Sequence, residues 1–430
     1  MPRPPLTGAD LPQLATALPG PRSVALSAEL ARVEAPGINT LGADDRPALV
    51  WEEALGANVL DVDGNRFVDL TAGFGVAALG HRPAAVVAAV ARQAATLVHG
   101  LGDVAAHPAR VALAAKLAAL VPVDRARIHF AISGADAVEI ALKTAIAAGR
   151  PSRRSRIVAF DPGYHGMTLG ALGVSSRPAF RAPFVEHLDP HVVRLPYGAP
   201  VDDCRAALTG AAAVVVEPLV GREGVVVPPP GWLAALAAAT RAAGALLVAD
   251  EIFTGFGRTG TLFAVDHEGV RPDLLCCGKA LGGGLPIAAV AGRAELMESW
   301  KSGGEALHTA TFVAHPLACA AALALLDESE SVDLPACARR IGAQVEQALS
   351  GRLPAGVLRG RGALWGLAFG SPSRAGGFVA ALRDRGFLLL AGGAHGDVVQ
   401  IVPPLTIAPA LLDAALAAIV EVLSGPAASG

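Results

Sequence analysis

From about residue 82 the chain alternates two hydrophobic rhythms. One is a set of short, mostly apolar or β-branched runs at 127–132, 156–160, 212–216, 245–249, 274–277 and 288–291. Runs without a polar face suit strands covered on both sides. The other is a set of longer Ala- and Leu-rich stretches with helical period, 135–148 and 233–243 among them. Strands alternating with helices predict an α/β fold with a mostly parallel sheet flanked by helices. Ahead of it, 51–70 alternates apolar and polar positions around Asp63-Gly64-Asn65, a strong hairpin turn signal. From Pro316 the pattern predicts a helix over 317–326, strands near 362–369 and 398–402, and a closing helix over 409–423. Three parts are expected: an N-terminal segment, 1–70, packing with a small C-terminal α/β unit, 316–430, and a large unit, 71–315, between them. Residues 1–25, rich in Pro and Gly, are expected to be loosely ordered or draped on a partner.

Composition narrows the class without choosing a function. The chain has 430 residues, 53% hydrophobic and 17% charged, enough for more than one core. A net charge of −3 gives no reason to expect nucleic acid or a membrane surface. No apolar stretch reaches the ~18 residues of a membrane helix, and no signal peptide is read at the N-terminus. The five cysteines form no CxxC or Cys/His cluster. Free thiols in a reducing compartment, the cytoplasm, are expected, and no metal site.

Lys279 is one of only four lysines. It follows the apolar run Leu274-Leu275-Cys276-Cys277 and precedes Gly282-Gly283-Gly284. An amine at the end of a buried strand loses its proton readily and can form a Schiff base. Lys116 and Lys143 fall on helices and read as solvated side chains; Lys301 falls in a loop. Open α/β sheets bind ligands at the carboxyl ends of their strands, and three more groups fall at such ends. Ser133-Gly134-Ala135 opens a helix and suits a phosphate, or Ser133 merely caps it. Asp250 ends a strand, where a carboxylate needs a cationic partner or caps the next loop. Tyr164, in Gly163-Tyr164-His165-Gly166, could stack on a flat cofactor or simply pack. Rival glycine motifs fail. Gly278-Lys279 lacks the following Ser/Thr of a P-loop, and Asp273 takes its upstream Gly position. No GxGxxG follows the first strands.

Together these residues resemble the class III pyridoxal-phosphate aminotransferases, of fold type I. The resemblance runs from about Trp51 to Ile419. It rests most on Asp250-Glu251-Ile252, Gly257-Arg258-Thr259-Gly260, Pro272-Asp273 and Gly278-Lys279, in that order and spacing. It implies pyridoxal 5′-phosphate as cofactor, with Lys279 forming the Schiff base and Asp250 pairing with the pyridine nitrogen. Tyr164 would stack on one ring face and Ile252 pack on the other, with His165 beside them. Ser133, Gly134 and Ala135 would take the phosphate. Thr311 resembles the threonine that reaches the phosphate from a neighbouring subunit, which implies a homodimer. Glu217, in Val216-Glu217-Pro218, resembles the family's acidic gate residue. The implied activity is ping-pong transfer of an amino group from an amine or (di)amino acid donor to an oxo-acid acceptor.

Some positions depart from the family's commoner pattern. Asp136 replaces Glu, Phe253 replaces Gln, Arg222-Glu223 replaces Glu-Gly, and His315 replaces Asn. Met167 stands where members acting on 4-aminobutyrate carry Arg, and Gln400 stands where many carry the arginine for an α-carboxylate. Residues 167–172 resemble members acting on diamino acids such as 2,4-diaminobutyrate. Phe74, Met167, Arg222 and Gln400 are the expected substrate residues. Arg222, or nearby Arg258, could restore the missing charge. An isomerase, epimerase or aminomutase on the same scaffold is an open alternative, as is a non-catalytic member that binds the cofactor, or only a partner protein.

Overall fold

The structure is a computed structural model that describes residues 5–37, 48–149, 152, 154–301 and 304–425. Residues 1–4 and 38–47 of the expected N-terminal segment, and 426–430 of the C-terminal unit, lie outside the described residues.

Fifteen strands fall into three sheets among the described residues. The largest has seven, built from β4 (Ala126–Ala131), β5 (Arg156–Asp161), β6 (Val192–Pro196), β7 (Ala211–Val216), β8 (Leu246–Asp250), β9 (Leu274–Cys277) and β10 (Ala288–Arg293), in the order β4-β10-β9-β8-β7-β5-β6. All pairings are parallel except the two made by β10, which runs antiparallel to β4 and to β9. Every residue of β7 and β9 is buried. That explains why their sequences carry no polar face: helices cover both sides. The helix Gly134–Gly149 covers one face, packing against β4, β7, β9 and β10.

The hairpin forms as expected. Here β1 (Trp51–Leu55), β2 (Asn58–Asp61) and β3 (Arg66–Asp69) make an antiparallel meander. Its fourth strand comes from far along the chain: β13 (Phe387–Leu388) pairs in parallel with β3. The third sheet is antiparallel, β11 (Leu358–Arg361), β12 (Leu364–Ala368), β15 (Val398–Ile401) and β14 (Leu390–Gly392), in that spatial order. The helix expected over 317–326 extends over Pro316–Val332 and packs on the helices Ala84–Ala94 and Pro108–Leu120.

The N-terminal expectation needs correction. Residues 5–20 are not loose; they lie along the chain's own meander. Gln13 and Arg66 exchange two backbone hydrogen bonds of 2.9 and 2.8 Å. Two buried asparagines extend this pairing. Asn58 bonds the N–H and C=O of Asp10, both at 2.8 Å. Asn65 Oδ1 accepts from Ala15 and Thr16, at 2.8 and 2.9 Å. Side-chain amides thus satisfy backbone groups that a Pro/Gly-rich segment cannot satisfy within itself. A helix, Pro21–Val33, follows.

Candidate active site

Because β4 is antiparallel to β10, and β10 to β9, the carboxyl ends of β4, β5, β7, β8 and β9 open on one edge of the sheet. Each delivers a residue to a single cavity of about 310 Å³: Ser133 after β4, Tyr164 after β5, Glu217 after β7, Asp250 ending β8 and Lys279 after β9. Gly134, Ala135, His165, Met167, Arg222, Ile252 and Phe253 complete the wall. A larger groove, about 780 Å³, runs beside Trp232. Its facing charges, Asp202 and Arg205, are largely exposed and pair with each other, so it offers no comparable chemistry.

Lys279 adopts a left-handed backbone, φ 42°. A non-glycine residue there carries strain that the packing around it must hold. Its ammonium lies 4.2 Å from the centroid of the Phe253 ring. Burial pushes the amine below its ordinary pKa. Asp250 and Glu217 oppose that, and the positive charge of Arg222 adds to it.

Asp250 is buried and held on both oxygens. Oδ2 lies 2.6 Å from His165 Nδ1, and Oδ1 accepts from the Ile252 N–H at 3.1 Å. Burial alone would lower the pKa of His165, but the hydrogen bond and charge of Asp250, with Glu217 beyond, raise it overall. Facing a carboxylate, His165 Nδ1 carries the proton it donates, and the contact fixes the carboxylate's orientation. Glu217 accepts backbone N–H groups on both oxygens, from Tyr164 at 2.8 Å and Gly221 at 3.0 Å. Burial pushes its carboxyl up to about 7, with the charge of Asp250 adding to the shift and His165 and the two N–H groups opposing it.

Small residues make the cavity's floor. A Cβ at Gly134 would stand 3.1 Å from Ile252, and one at Gly278 would stand 3.6 Å from it. Ile252 thus packs between the start of the helix Gly134–Gly149 and the residue before Lys279. A Cβ on Gly166 would meet Ala135 at 2.6 Å. Ser133 does cap the helix, its Oγ accepting the Asp136 N–H at 3.2 Å. The cap leaves other first-turn N–H groups of a 16-residue helix for an anion.

The structure places the remaining expected residues in different ways. Met167 is half-exposed at the cavity wall. Phe74, in a left-handed conformation and 67% exposed, lines an adjoining cavity of about 40 Å³ with Thr71, Leu390, Gln400 and Val402. Gln400 reaches that cavity, but its Nε2 is spent on the carbonyls of Gly221 and Arg222, at 2.9 and 3.3 Å. Thr311 is exposed and lines neither cavity; its carbonyl lies against Gly102. Arg258 is fully buried away from both cavities and donates to the carbonyls of Ala363 and Pro403. It therefore does not restore the missing substrate charge. Lys143, read as solvated, bonds His308 Nδ1 at 2.9 Å, and His308 Nε2 bonds Asp136 at 2.8 Å. Leu390 and Val402 escape sequence reasoning, because nothing local marks an apolar residue of the C-terminal sheet as a cavity wall. Arg177, which bonds Glu223 behind the cavity, escapes it for the same reason.

The donor set fits pyridoxal phosphate. It offers a buried amine for an aldehyde, a fixed carboxylate for a ring cation, a helix start for a phosphate, and room for one flat ring above Ile252. A mostly parallel sheet presenting these groups at its carboxyl edge is the architecture of a fold type I transferase. The aminotransferase class-III family model matches residues 41–423. The chain is 41% identical over 381 residues to acetylornithine aminotransferase from Mycobacterium bovis, covering 88% of this chain and 92% of that one. It is 38% identical over 375 residues to putrescine aminotransferase from Pectobacterium atrosepticum, covering 84% and 80%. The structure of Toxoplasma gondii ornithine aminotransferase, with partial occupancy of pyridoxal phosphate at its active site, matches with a TM-score of 0.83. The two are 31% identical, over 92% of this chain and 93% of that one. The chain belongs to the class III aminotransferases. It is a pyridoxal-phosphate enzyme that transfers an amino group from an amine donor to an oxo-acid acceptor, and the isomerase alternative is not favoured.

Proposed function

We propose that this cavity transaminates small aliphatic donors with a terminal amine, and that Lys279 and Asp250 are its catalytic pair. The observation that carries the reading is the shared cavity: one amine, one clamped carboxylate and one helix start, all on the carboxyl edge of the sheet. When bound, pyridoxal phosphate supplies an aldehyde for amine exchange and a cationic ring that takes up electrons. Asp250, oriented by His165 and the Ile252 N–H, would accept a hydrogen bond from the ring nitrogen and keep it protonated. Lys279 Nζ, its pKa lowered by burial, takes the proton from the donor carbon and returns it. Glu217 ties Tyr164 to the Gly221 turn and so sets the height of the cavity. Phe253 keeps water from the lysine side. Donors of this class are supported by the acetylornithine, putrescine and ornithine aminotransferases that the chain resembles.

A homodimer is part of the proposal. Leu97, Val98, Leu101, Val104 and Phe312 are all exposed, a patch that a soluble monomer rarely leaves open. It adjoins Thr311, which has no role at its own cavity. A division of the chain near 70 and 315 is proposed too, supported by the three separate sheets. The five free cysteines support a reducing, cytoplasmic setting.

The test is a panel of donors, including putrescine, ornithine, N-acetylornithine, 2,4-diaminobutyrate and 4-aminobutyrate. Each is mixed with the holoenzyme while the cofactor's absorption is followed. Terminal amines should convert the cofactor stably to its amine form without an acceptor. Lys279→Ala should lower turnover by at least about a thousandfold with circular dichroism unchanged. Normal turnover in that variant would refute the assignment.

A further inference from the structure

Two arginines face one carboxylate at the wall of the cavity. Arg177 holds Glu223 through Nε and Nη2, at 3.2 and 3.1 Å from Oε2, with Nη2 also 2.9 Å from Oε1. The Glu223 side chain is fully buried, so its charge is committed to Arg177. Arg222 keeps only a long contact, Nη1 to Glu223 Oε1 at 3.5 Å. That nitrogen is buried and makes no hydrogen bond, a costly state for a guanidinium. The group is nevertheless oriented: it lies over the rings of Tyr164 and Phe180, 4.4 and 5.2 Å from their centroids. Its backbone is pinned as well, because the Arg222 carbonyl accepts from the Gly393 N–H and from Gln400 Nε2. Arg222 thus combines a fixed main chain, an oriented plane and a side chain still 34% exposed, in the walls of both the 310 and the 40 Å³ cavities.

We propose, resting on the transaminase reading above, that Arg222 determines acceptor specificity by binding the carboxylate next to the reacting carbon of a 2-oxo acid. That carboxylate binds the guanidinium and neutralises the second positive charge. The reacting carbon must lie within proton reach of Lys279, and Lys279 and Arg222 line the same two cavities. One small acid therefore meets both groups. Gln400 serves as a clamp on the Arg222 backbone and leaves the receptor's role to the arginine.

The experiment compares wild-type, Arg222→Gln and Arg222→Lys holoenzymes with pyruvate, with 2-oxoglutarate and with an aldehyde acceptor that has no carboxylate. In R222Q the KM for both oxo acids should rise at least about tenfold, with R222K intermediate. The KM for the aldehyde should move less than about twofold. Calorimetric binding of propionate, a non-reacting carboxylate, should weaken by a similar factor in R222Q. An equal rise for all three acceptors, or a rise confined to 2-oxoglutarate, would overturn the proposal. R222K keeps the test open if R222Q fails to fold. Failure of the wild-type protein to exchange amino groups with any amine would sink the transaminase reading. Intact exchange, with oxo-acid KM unchanged in both variants, would sink the Arg222 assignment alone.

Discussion

Glu251 shows what a single buried carboxyl does to this chain. It is wholly buried, accepting from the Val265 N–H at 2.8 Å and from the Thr254 hydroxyl. Burial pushes its pKa from 4.5 up to about 7, against the pull of those donors. Between these values the folded chain keeps a proton that the unfolded chain has lost. The group's contribution to stability is therefore full below about pH 4.5 and declines as pH rises through 7, by about 3 kcal/mol. Urea midpoints measured from pH 5 to 8 should show a smaller decline in Glu251→Gln than in wild type. Identical curves would mean that the carboxyl ionises at its ordinary pKa. The sequence made Asp250 and Lys279 legible because each sits at the end of an apolar run, where a charge is conspicuous. The state of Arg222 was hidden. It depends on Arg177 claiming Glu223 and on Gln400 turning to the backbone, and neither contact leaves a local pattern.

Among elements, the strand ends carry the chemistry, and the turn that carries Phe253 shows how tightly they are fitted. The ring of Phe253 lies against two glycines. A Cβ at Gly75, φ 83°, would come within 2.5 Å of the ring, and one at Gly221 within 2.3 Å. Overpacking of this kind costs about 1–3 kcal/mol. Gly221→Ala should lower the melting temperature and loosen cofactor retention, read from the absorption of dialysed protein. Phe253→Leu in the same chain should recover part of both. A Gly221→Ala protein that matches wild type in both measurements would show that the ring moves aside freely. Six strands of the large sheet were legible as apolar runs, with ends shifted by a residue or two. Strand β6, Val-Val-Arg-Leu-Pro, was missed because it lies at the sheet's edge and is only half-buried. Strands β13 and β14 are too short to show a period. The reversed direction of β10 was also hidden, since strand direction is set by connections and not by composition.

On the scale of the whole molecule, the exposed patch beside Thr311 predicts the assembly. The rings of His99 and Phe312 meet at a 60° tilt with centroids 5.3 Å apart, joining residues 97–104 to the Thr311 loop. Leu101→Glu combined with Val104→Glu should turn the proposed dimer into a monomer in light scattering, and the monomer should hold its cofactor more weakly. A double variant that stays dimeric would place the interface elsewhere. The alternation of helix and strand had announced the α/β architecture. What it could not announce was how the distant parts lock together. Arg258, after β8, donates to carbonyls at 363 and 403, and its own carbonyl accepts the Ala363 N–H at 2.9 Å. Arg339 donates to the Gly260 carbonyl two residues on. A joint made of interior bonds has one setting, like a latch without play. The width of the substrate mouth is then decided when the protein folds, and choice among substrates falls to the few side chains that can still rotate at its rim.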